Sequence, residues 1–288
     1  MMDQEIPRSN EHMSRDVFAT LFNLTNKQPW LVRRSRELFD TVGLCTTESE
    51  RELLIDLISR FHFRSVQNHL DDLRALAAKI TNDWKCLPEN TILVALEDRE
   101  LADSSAMLVQ QLKGPLAELG AWKTGNFISQ LGEVVRRTKN GSIVVFVDDF
   151  CGSGESIYKK VVWLRNELIS AGKTATIRVA VGSSMEQSKD IILPVVDDFY
   201  SVHWLAKGLN DYFRDTELTE AVATMRGIED KLGERHGKKK LSDYSFGWKQ
   251  SEALFYLEGG NPPNNNFPVF WWPKLRPARD RATLLPRV

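Results

Sequence analysis

The sequence has few of the residues that build disulfide frameworks or zinc sites. It contains three cysteines and five histidines among 288 residues. The cysteines, Cys45, Cys86 and Cys151, are odd in number and far apart, and neither a CxxC pair nor an HExxH motif occurs. The composition is therefore that of neither a small disulfide-bonded domain nor a zinc protein with a familiar ligand spacing.

The sequence also lacks an excess of charge of one sign and long apolar runs. Its formal net charge is -1 and its pI is about 6.5, so the global charge does not indicate a protein that coats nucleic acid or a membrane surface. No apolar run approaches the length of a membrane-spanning helix, and the polar residues 1–16 do not resemble a secretory signal peptide. We expect a soluble cytoplasmic protein, and its hydrophobic content of 42% is sufficient for a full core.

The first part of the chain, residues 1–88, has a helical pattern and no strand signal. Thr47 and Glu50 have the spacing of a helix capping box. The apolar residues that follow recur at three- and four-residue steps, as on one face of a helix: Leu53, Leu54, Leu57, Ile58 and Phe61. We therefore predict a helical N-terminal region.

Residues 89–272 alternate between short apolar runs and amphipathic stretches. We predict strands at residues 92–96, 143–147, 174–182 and 197–205, and helices that begin near Ser104, at Phe127 and near Ser156. This alternation indicates right-handed crossovers and a parallel sheet, so the predicted fold class is α/β. Residues 207–246 are predicted as a helical insertion and residues 273–288 as a basic C-terminal tail.

The stretch SIVVFVDDFCGSGES, residues 142–156, carries the chemistry of a candidate site. Asp148 and Asp149 follow an apolar strand, where parallel sheets collect ligands, and can accept hydrogen bonds from two vicinal hydroxyls. Gly152 and Gly154 permit close backbone approach, and the next helix offers free amides and a positive dipole end to a phosphate. These features match the two ends of a ribose 5-phosphate unit, and the simpler alternative is a solvated strand end followed by a turn.

The order of apolar strand, Asp-Asp, two variable residues and a small-residue loop resembles the fingerprint of the type I phosphoribosyltransferases. The resemblance implies that Asp148 and Asp149 are the catalytic acids and hold the 2- and 3-hydroxyls of phosphoribosyl pyrophosphate. It implies that the 5-phosphate is bound by the loop residues Cys151, Gly152, Ser153, Gly154, Glu155 and Ser156. It further implies magnesium with the pyrophosphate group, which would lie at Asp103, Ser104 and Ser105 after the first core strand.

Three segments, VDDFCGSGES, FGWKQSEALF and NPPNNNFPVFWW, resemble more closely the divergent phosphoribosyltransferase-like proteins of bacterial conflict systems, some encoded beside retron reverse transcriptases. This resemblance extends nearly to Trp272 and implies an antiphage role with a protein partner in a defence complex. Two functions are compatible with it. One is an active phosphoribosyltransferase that releases pyrophosphate, and the other is a catalytically inactive nucleotide-sensing regulatory or effector subunit.

Several of these residues have two interpretations. Glu155 places a negative charge in the phosphate loop and should weaken anion binding unless its side chain turns away. Cys151 is either a nucleophile or, more simply, a small buried residue. Residues 103–105 form either a helix cap or the pyrophosphate position. The basic run RHGKKK, residues 235–240, is either a solvated surface or a contact with nucleic acid.

Overall fold

The structure is a computed structural model that describes residues 15–95, 104–277 and 279–288. Its helices are α1 (Arg15–Lys27), α2 (Ser35–Val42), α3 (Glu48–Ser59), α4 (Val66–Ala78), α5 (Ser104–Leu119), α6 (Leu131–Arg137), α7 (Glu155–Ser170), α8 (Lys189–Ile192), α9 (Asp215–Glu229) and α10 (Pro268–Trp271). Its strands are β1 (His62–Arg64), β2 (Thr91–Ala95), β3 (Phe127–Ile128), β4 (Ser142–Cys151), β5 (Ala175–Met185), β6 (Asp198–Leu205), β7 (Arg235–His236), β8 (Lys239–Lys240), β9 (Phe255–Leu257), β10 (Lys274–Leu275) and β11 (Arg279–Asp280). None of the helices within these ranges is long and apolar enough to cross a membrane.

A five-stranded sheet in the order β3-β2-β4-β5-β6 forms the centre of the α/β part. Every neighbouring pair in it is parallel, which confirms the predicted α/β class. The helix predicted to begin at Phe127 begins instead at Leu131, because Phe127 and Ile128 pair with β2 as a short edge strand. Two residues are too few for an apolar run to be visible in the sequence.

Both faces of the sheet are covered by helices, as is usual for parallel sheets. Val144 and Phe146 of β4 point to one face and pack with the apolar stripe of α7. Val145 and Val147 alternate to the other face and pack with α4 and α5. β4 is therefore buried on both sides, which explains why its sequence reads as a continuous apolar run.

A second hydrophobic core joins the two ends of the chain. Leu31, Leu54 and Leu57 of the N-terminal part pack there with the C-terminal Phe270 and Trp272. Strand β1 pairs in parallel with β9 across the same region. The segment predicted as a basic tail also enters this core, through the fully buried side chains of Leu284 and Leu285. The division at residues 88 and 272 stays a prediction, but the two ends share one core.

The connections of the sheet determine where a ligand would lie. From β2 the chain passes through α5 to β3 on one side, and it then places β4 on the other side of β2. This reversal makes the crevice beside the carboxyl ends of β2 and β4 a topological switch point, where open α/β sheets bind their ligands. The acid pair and the glycine-rich loop lie at the carboxyl end of β4.

Candidate functional site

The acid pair belongs to a longer strand than the sequence indicates. β4 continues through Asp148 and Asp149 to Cys151, and Asp148 pairs with Val181 of β5. Both carboxylates are half-buried, and the backbone amide of Asp149 donates a hydrogen bond of 2.9 Å to Asp148 Oδ1. Since neighbouring strand residues point to opposite faces, the two side chains leave β4 in different directions.

The glycine-rich loop leads directly into α7 without a capping side chain. Gly154 is the N-cap, with φ of 80°, a left-handed conformation that glycine adopts without strain. No side chain caps this end, and the Glu155 amide has only a long contact of 3.4 Å with Ser153 Oγ. The N-terminus of this 16-residue helix therefore presents backbone amides and a positive dipole end at the carboxyl edge of the sheet.

A cleft of about 340 Å³ lies between this loop and the C-terminal part of the chain. It is lined by Asp148, Phe150, Cys151, Gly152, Ser153, Gly154, Glu155, Ser156, Ile157, Lys159, Trp248, Asn264 and Asn265. Asp148 and the whole predicted loop therefore lie in one cleft, whereas Asp149 is not part of its lining. Each of the three segments that carry the family resemblance contributes residues to this cleft.

The wall opposite the loop is held by tight packing. The Asn265 side chain rests directly on Gly152, in the space that a β-carbon of residue 152 would need. Asn265 Nδ2 donates a hydrogen bond of 2.8 Å to Ser251 Oγ and a longer one of 3.4 Å to the Trp248 carbonyl. Asn265 is only 8% exposed, so the loop and this wall contact each other without an intervening layer.

The negative charge of Glu155 is compensated by two lysines. Glu155 forms an ion pair of 2.8 Å with Lys159, one turn later in α7, and a longer one of 3.7 Å with Lys249. The hydrogen bond with Lys159 is the main cause that lowers the pKa of the Glu155 carboxyl, so this carboxylate is ionised at neutral pH. The repulsion that the sequence predicts between Glu155 and a bound phosphate is therefore reduced, although both lysines are engaged with Glu155.

Cys151 is buried beneath the loop. It is 3% exposed, and burial raises the pKa of its thiol to about 12, with hydrogen bonds from Ser184 and Ser188 acting in the opposite direction. The hydroxyls of these two serines also contact each other, at 2.7 Å. The thiol is therefore protonated at neutral pH, which is the chemistry of a small packing residue and not of a nucleophile.

The predicted pyrophosphate position is only partly visible. Asp103 lies outside the described residues. Ser104 and Ser105 are the first residues of α5, but only their backbone is described. The helix thus begins where the sequence predicts it, and the role of these three residues stays a prediction.

Sequence analysis assigned no site role to four residues that line or border the cleft: Trp248, Lys249, Asn264 and Asn265. They lie about a hundred residues after the acid pair along the chain. Their segments stood out only through the family resemblance. A local motif could not show which of their side chains face the loop.

The donor groups at the cleft do not form a metal cage. No cluster of three or more His, Cys, Asp or Glu side chains suited to a metal ion occurs in the part of the chain that the structure describes. Magnesium is usually held by one or two carboxylates together with phosphate oxygens of the ligand. Asp148, alone or with Asp149, fits that second arrangement and not an all-protein site.

A sequence model of the PRTase-CE family matches residues 45–287, which is most of the chain. This protein belongs to the PRTase-CE family. The match includes the acid pair, the loop and the C-terminal wall of the cleft, and with the parallel sheet it supports a type I phosphoribosyltransferase-like fold. A comparison with curated proteins finds no match.

Several solved structures, phosphoribosyltransferases among them, are distantly similar. A hypoxanthine-guanine enzyme from Leishmania tarentolae in complex with GMP is 18% identical, with a TM-score of 0.36 over 49% of this chain and 78% of that chain. The orotate phosphoribosyltransferase from Aeropyrum pernix is 18% identical, with a TM-score of 0.31 over 48% and 71%. A hypothetical protein from Neisseria gonorrhoeae with bound ppGpp is 16% identical, with a TM-score of 0.33 over 57% and 94%. Similarities this distant assign no ligand to the chain.

Proposed function

We propose that this PRTase-CE protein binds phosphoribosyl pyrophosphate, or a nucleotide-like ribose phosphate, in the cleft at the carboxyl end of β4. In this proposal Asp148 and Asp149 accept hydrogen bonds from the 2- and 3-hydroxyls of the ribose. The amides of residues 152–156 and the N-terminus of α7 hold the 5-phosphate. Asp103, Ser104 and Ser105 are proposed to lie near the pyrophosphate group.

The observation that carries this proposal is the convergence of distant segments on one cleft. Asp148, residues 150–157, Lys159, Trp248 and residues 264–265 line the same space, at the switch point of the sheet. A ligand with hydroxyls at one end and a phosphate at the other matches a carboxylate at the strand end and free amides at the helix end. The volume of about 340 Å³ suits a sugar phosphate.

Magnesium is proposed to enter with the ligand. Asp148 is the carboxylate of the cleft that would hold the ion, and the ion would supply positive charge against the phosphate groups of the ligand. This role explains how a cleft with few cations could still accept a ligand with several negative charges.

If the site is active, its reaction is transfer of the phosphoribosyl group to an acceptor. A bond forms between the acceptor and ribose C1 while the bond from C1 to the pyrophosphate oxygen breaks, and pyrophosphate leaves with both electrons of that bond. The acid pair would keep the ribose in position while positive charge develops on its ring.

A second function, a nucleotide-sensing regulatory or effector subunit without catalysis, is favoured by one observation. The lysines at the cleft, Lys159 and Lys249, are both paired with Glu155. Among the described lining residues this leaves no unengaged cation to stabilise a departing pyrophosphate. Binding and chemistry must therefore be tested separately.

The binding test is calorimetric titration of the full chain with phosphoribosyl pyrophosphate and magnesium. Asp148→Asn should lower the affinity about tenfold or more, the effect of losing one charge-assisted hydrogen bond, and adding Asp149→Asn should lower it further. The control, Asp71→Asn with Asp83→Asn, removes two exposed carboxylates elsewhere and should leave the affinity unchanged. Absence of binding by the wild type, or equal affinity in the Asp148→Asn variant, would contradict the site.

A pyrophosphate-release assay over a panel of nucleobases then separates the two functions. Release that the wild type shows and the acid-pair variant lacks would establish transferase activity. Binding without release would favour the sensing subunit. The antiphage role and the protein partner in a retron-type complex are proposed from the family resemblance alone. Their test is phage plating on cells that express the protein with its neighbouring genes, with the acid-pair variant as the comparison.

A further inference from the structure

A second and larger cavity, of about 550 Å³, lies away from the β4 cleft. Its walls come from the last turns of α9, from the hairpin formed by β7 and β8, from residues 241–245 and from the turn after β10. The family fingerprint includes none of these elements. The hairpin contains the basic run RHGKKK, residues 235–240, whose role the proposed function leaves unexplained.

The hairpin holds two positive charges side by side. Arg235 of β7 pairs directly with Lys240 of β8, and both residues line the cavity. The alternate pair, His236 with Lys239, points to the other face, where the His236 ring lies 6.1 Å from the ring of the buried Trp272. Like charges directly opposite each other destabilise a strand pair, so this arrangement costs stability unless an anion lies between them.

Two further arginines complete the basic wall. Arg226 projects from α9, and Arg276 follows β10 and forms an ion pair of 3.5 Å with Glu234. Within the described ranges no carboxylate lies at ion-pair distance from Arg226, Arg235 or Lys240, so none of these three cations forms a direct ion pair, and Arg226 interacts with the Glu229 carboxylate only over a longer distance.

The carboxylates of the cavity do not neutralise this wall. The buried Glu229 lies at its floor, and its oxygens accept hydrogen bonds from the Ser245 hydroxyl and from the Phe246 amide, the latter at 3.0 Å. Asp230 and Glu234 are exposed, and Glu234 is the partner of Arg276. The Glu229 carboxylate therefore already has hydrogen-bond partners within the protein, and the cationic side chains remain available to a ligand.

We propose that this cavity is a second ligand site, which binds the phosphate groups of a small phosphorylated molecule between Arg226, Arg235 and Lys240. Planar guanidinium groups bind phosphate oxygens in pairs, and an ammonium group adds a point charge. The concave shape and the volume are those of small-molecule sites. No aromatic side chain is part of the lining, so the site recognises phosphate charge and not a stacked base.

The floor of the cavity gives this site a dependence on pH. Burial raises the pKa of Glu229 to about 7; hydrogen bonds from Ser245 and Phe246 and the charge of Arg226 act against this rise, while Asp230 adds to it. Arg235, Lys240, Arg276 and Glu234 face the same cavity from the other elements. An anion bound above Glu229 favours its neutral form, so binding takes up a proton and becomes tighter as the pH falls through about 7.

The test is calorimetric titration of the full chain with inorganic tripolyphosphate at constant ionic strength. Arg235→Ala with Lys240→Ala should weaken this binding at least about tenfold, because each residue supplies a charge-assisted contact. Lys238→Ala is the control: it removes one positive charge from the turn of the same hairpin but lies outside the cavity lining, and it should leave the affinity unchanged. All these side chains are exposed, and equal melting temperatures verify that the variants fold.

Two further variants separate this site from the β4 cleft and test its floor. Asp148→Asn with Asp149→Asn should leave tripolyphosphate binding at the hairpin intact. The hairpin proposal therefore does not depend on whether the β4 cleft binds the ligand proposed for it. Glu229→Gln should make the affinity less dependent on pH between 6 and 8 than in the wild type. Because both proteins bind the same ligand, titration of the ligand itself cancels in this comparison. The proposal is overturned if the wild type does not bind, if the hairpin double variant binds like the wild type, or if Lys238→Ala weakens binding equally.

Discussion

The contact between Gly152 and Asn265 predicts a strong effect of adding one methyl group. A β-carbon at residue 152 would overlap the Asn265 side-chain amide. Gly152 has no left-handed φ, so alanine is compatible with its backbone and the methyl group itself is the perturbation. Asn265 is buried and bonded to Ser251, so it can yield only by losing that hydrogen bond or by moving its backbone.

The expected loss of stability in Gly152→Ala follows from these two ways in which Asn265 can yield. Forcing a methyl group into a well-packed site typically destabilises a protein by about 1–3 kcal/mol. Loss of the Asn265–Ser251 hydrogen bond alone corresponds to about 1 kcal/mol. We therefore expect a fall of about 2 kcal/mol in the free energy of unfolding, which for a chain of this size lowers Tm by a few °C.

The assay is a double-mutant cycle measured by denaturant or thermal unfolding. Asn265→Ala removes the side chain that obstructs the methyl group, so Gly152→Ala should cost at least about 1 kcal/mol less in that background than in the wild type. Gly227→Ala is the matched control: it lies in α9, and the nearest atom to its added carbon, Glu50 Oε1, is at an ordinary contact distance of 3.6 Å. Since alanine is the better helix former, this control should stabilise by about 1 kcal/mol.

Additive effects of Gly152→Ala and Asn265→Ala would refute the reasoning, because residues that do not touch do not couple. A destabilising effect of Gly227→Ala would mean that the space around the added methyl group does not decide whether the substitution stabilises or destabilises the protein. If the cycle shows the expected coupling, the loop and the C-terminal wall are in contact in solution, as the cleft requires.

Three other predictions concern charge and thiols. Glu155→Gln should tighten phosphate-ligand binding about two- to fivefold, because it removes an anion from the loop and releases its lysines. Glu133→Gln, which removes a partly exposed, ion-paired acid outside the cleft lining, should not change this binding. Burial raises the pKa of Glu50, but the hydrogen bonds from a lysine and from residues 46–47 outweigh it and lower the pKa to about 2. The free energy of unfolding should therefore fall as the pH drops from about 4.5 to 2, and less steeply in Glu50→Gln. Ellman's reagent should react slowly with the folded chain at pH 7.5 and with three thiols after denaturation, since burial raises the pKa of Cys45 to about 11 and of Cys151 to about 12.

Each of these predictions has an outcome that contradicts it. Weaker ligand binding by Glu155→Gln would mean that Glu155 organises the loop instead of opposing the phosphate. If the free energy of unfolding falls equally at low pH in the wild type and in Glu50→Gln, groups other than Glu50 cause that fall. Fast labelling of Cys151 in the folded protein, identified by mass spectrometry, would show an accessible thiolate and revive the nucleophile hypothesis.

The α/β core could be predicted because its signals are local. The continuous apolar run of β4 and the i, i+4 stripe of α7 each require only one segment to be recognised. Strand β3 could not be predicted, since its two residues pair with β2 only after the sheet exists. The extension of β4 through Asp148 to Cys151 was also invisible, because it depends on partners in β5 that lie thirty residues later.

The same distinction between local and long-range signals explains which parts of the candidate site could be predicted. The acid pair and the loop form one continuous motif, so their chemistry can be read directly from the sequence. The charge of Glu155 was visible, but its compensation by Lys249 requires a contact across almost a hundred residues. Only the tertiary structure shows that Asp148 faces the cleft and Asp149 does not.

The shared core of the two chain ends has a consequence for the cleft. Asn265 lines the cleft, and Asn266 and Phe267 follow it directly into the buried interior, where both are fully buried. That interior also contains Leu54 and Leu57 of α3, so the N-terminal helices support the wall that faces the phosphate loop. Removing residues 1–88 would expose this core and release the wall, even though the acid pair and its loop remain. The helical N-terminal part is therefore a structural requirement of the candidate site, and a partner that bound and shifted these helices would change the cleft through the same contacts.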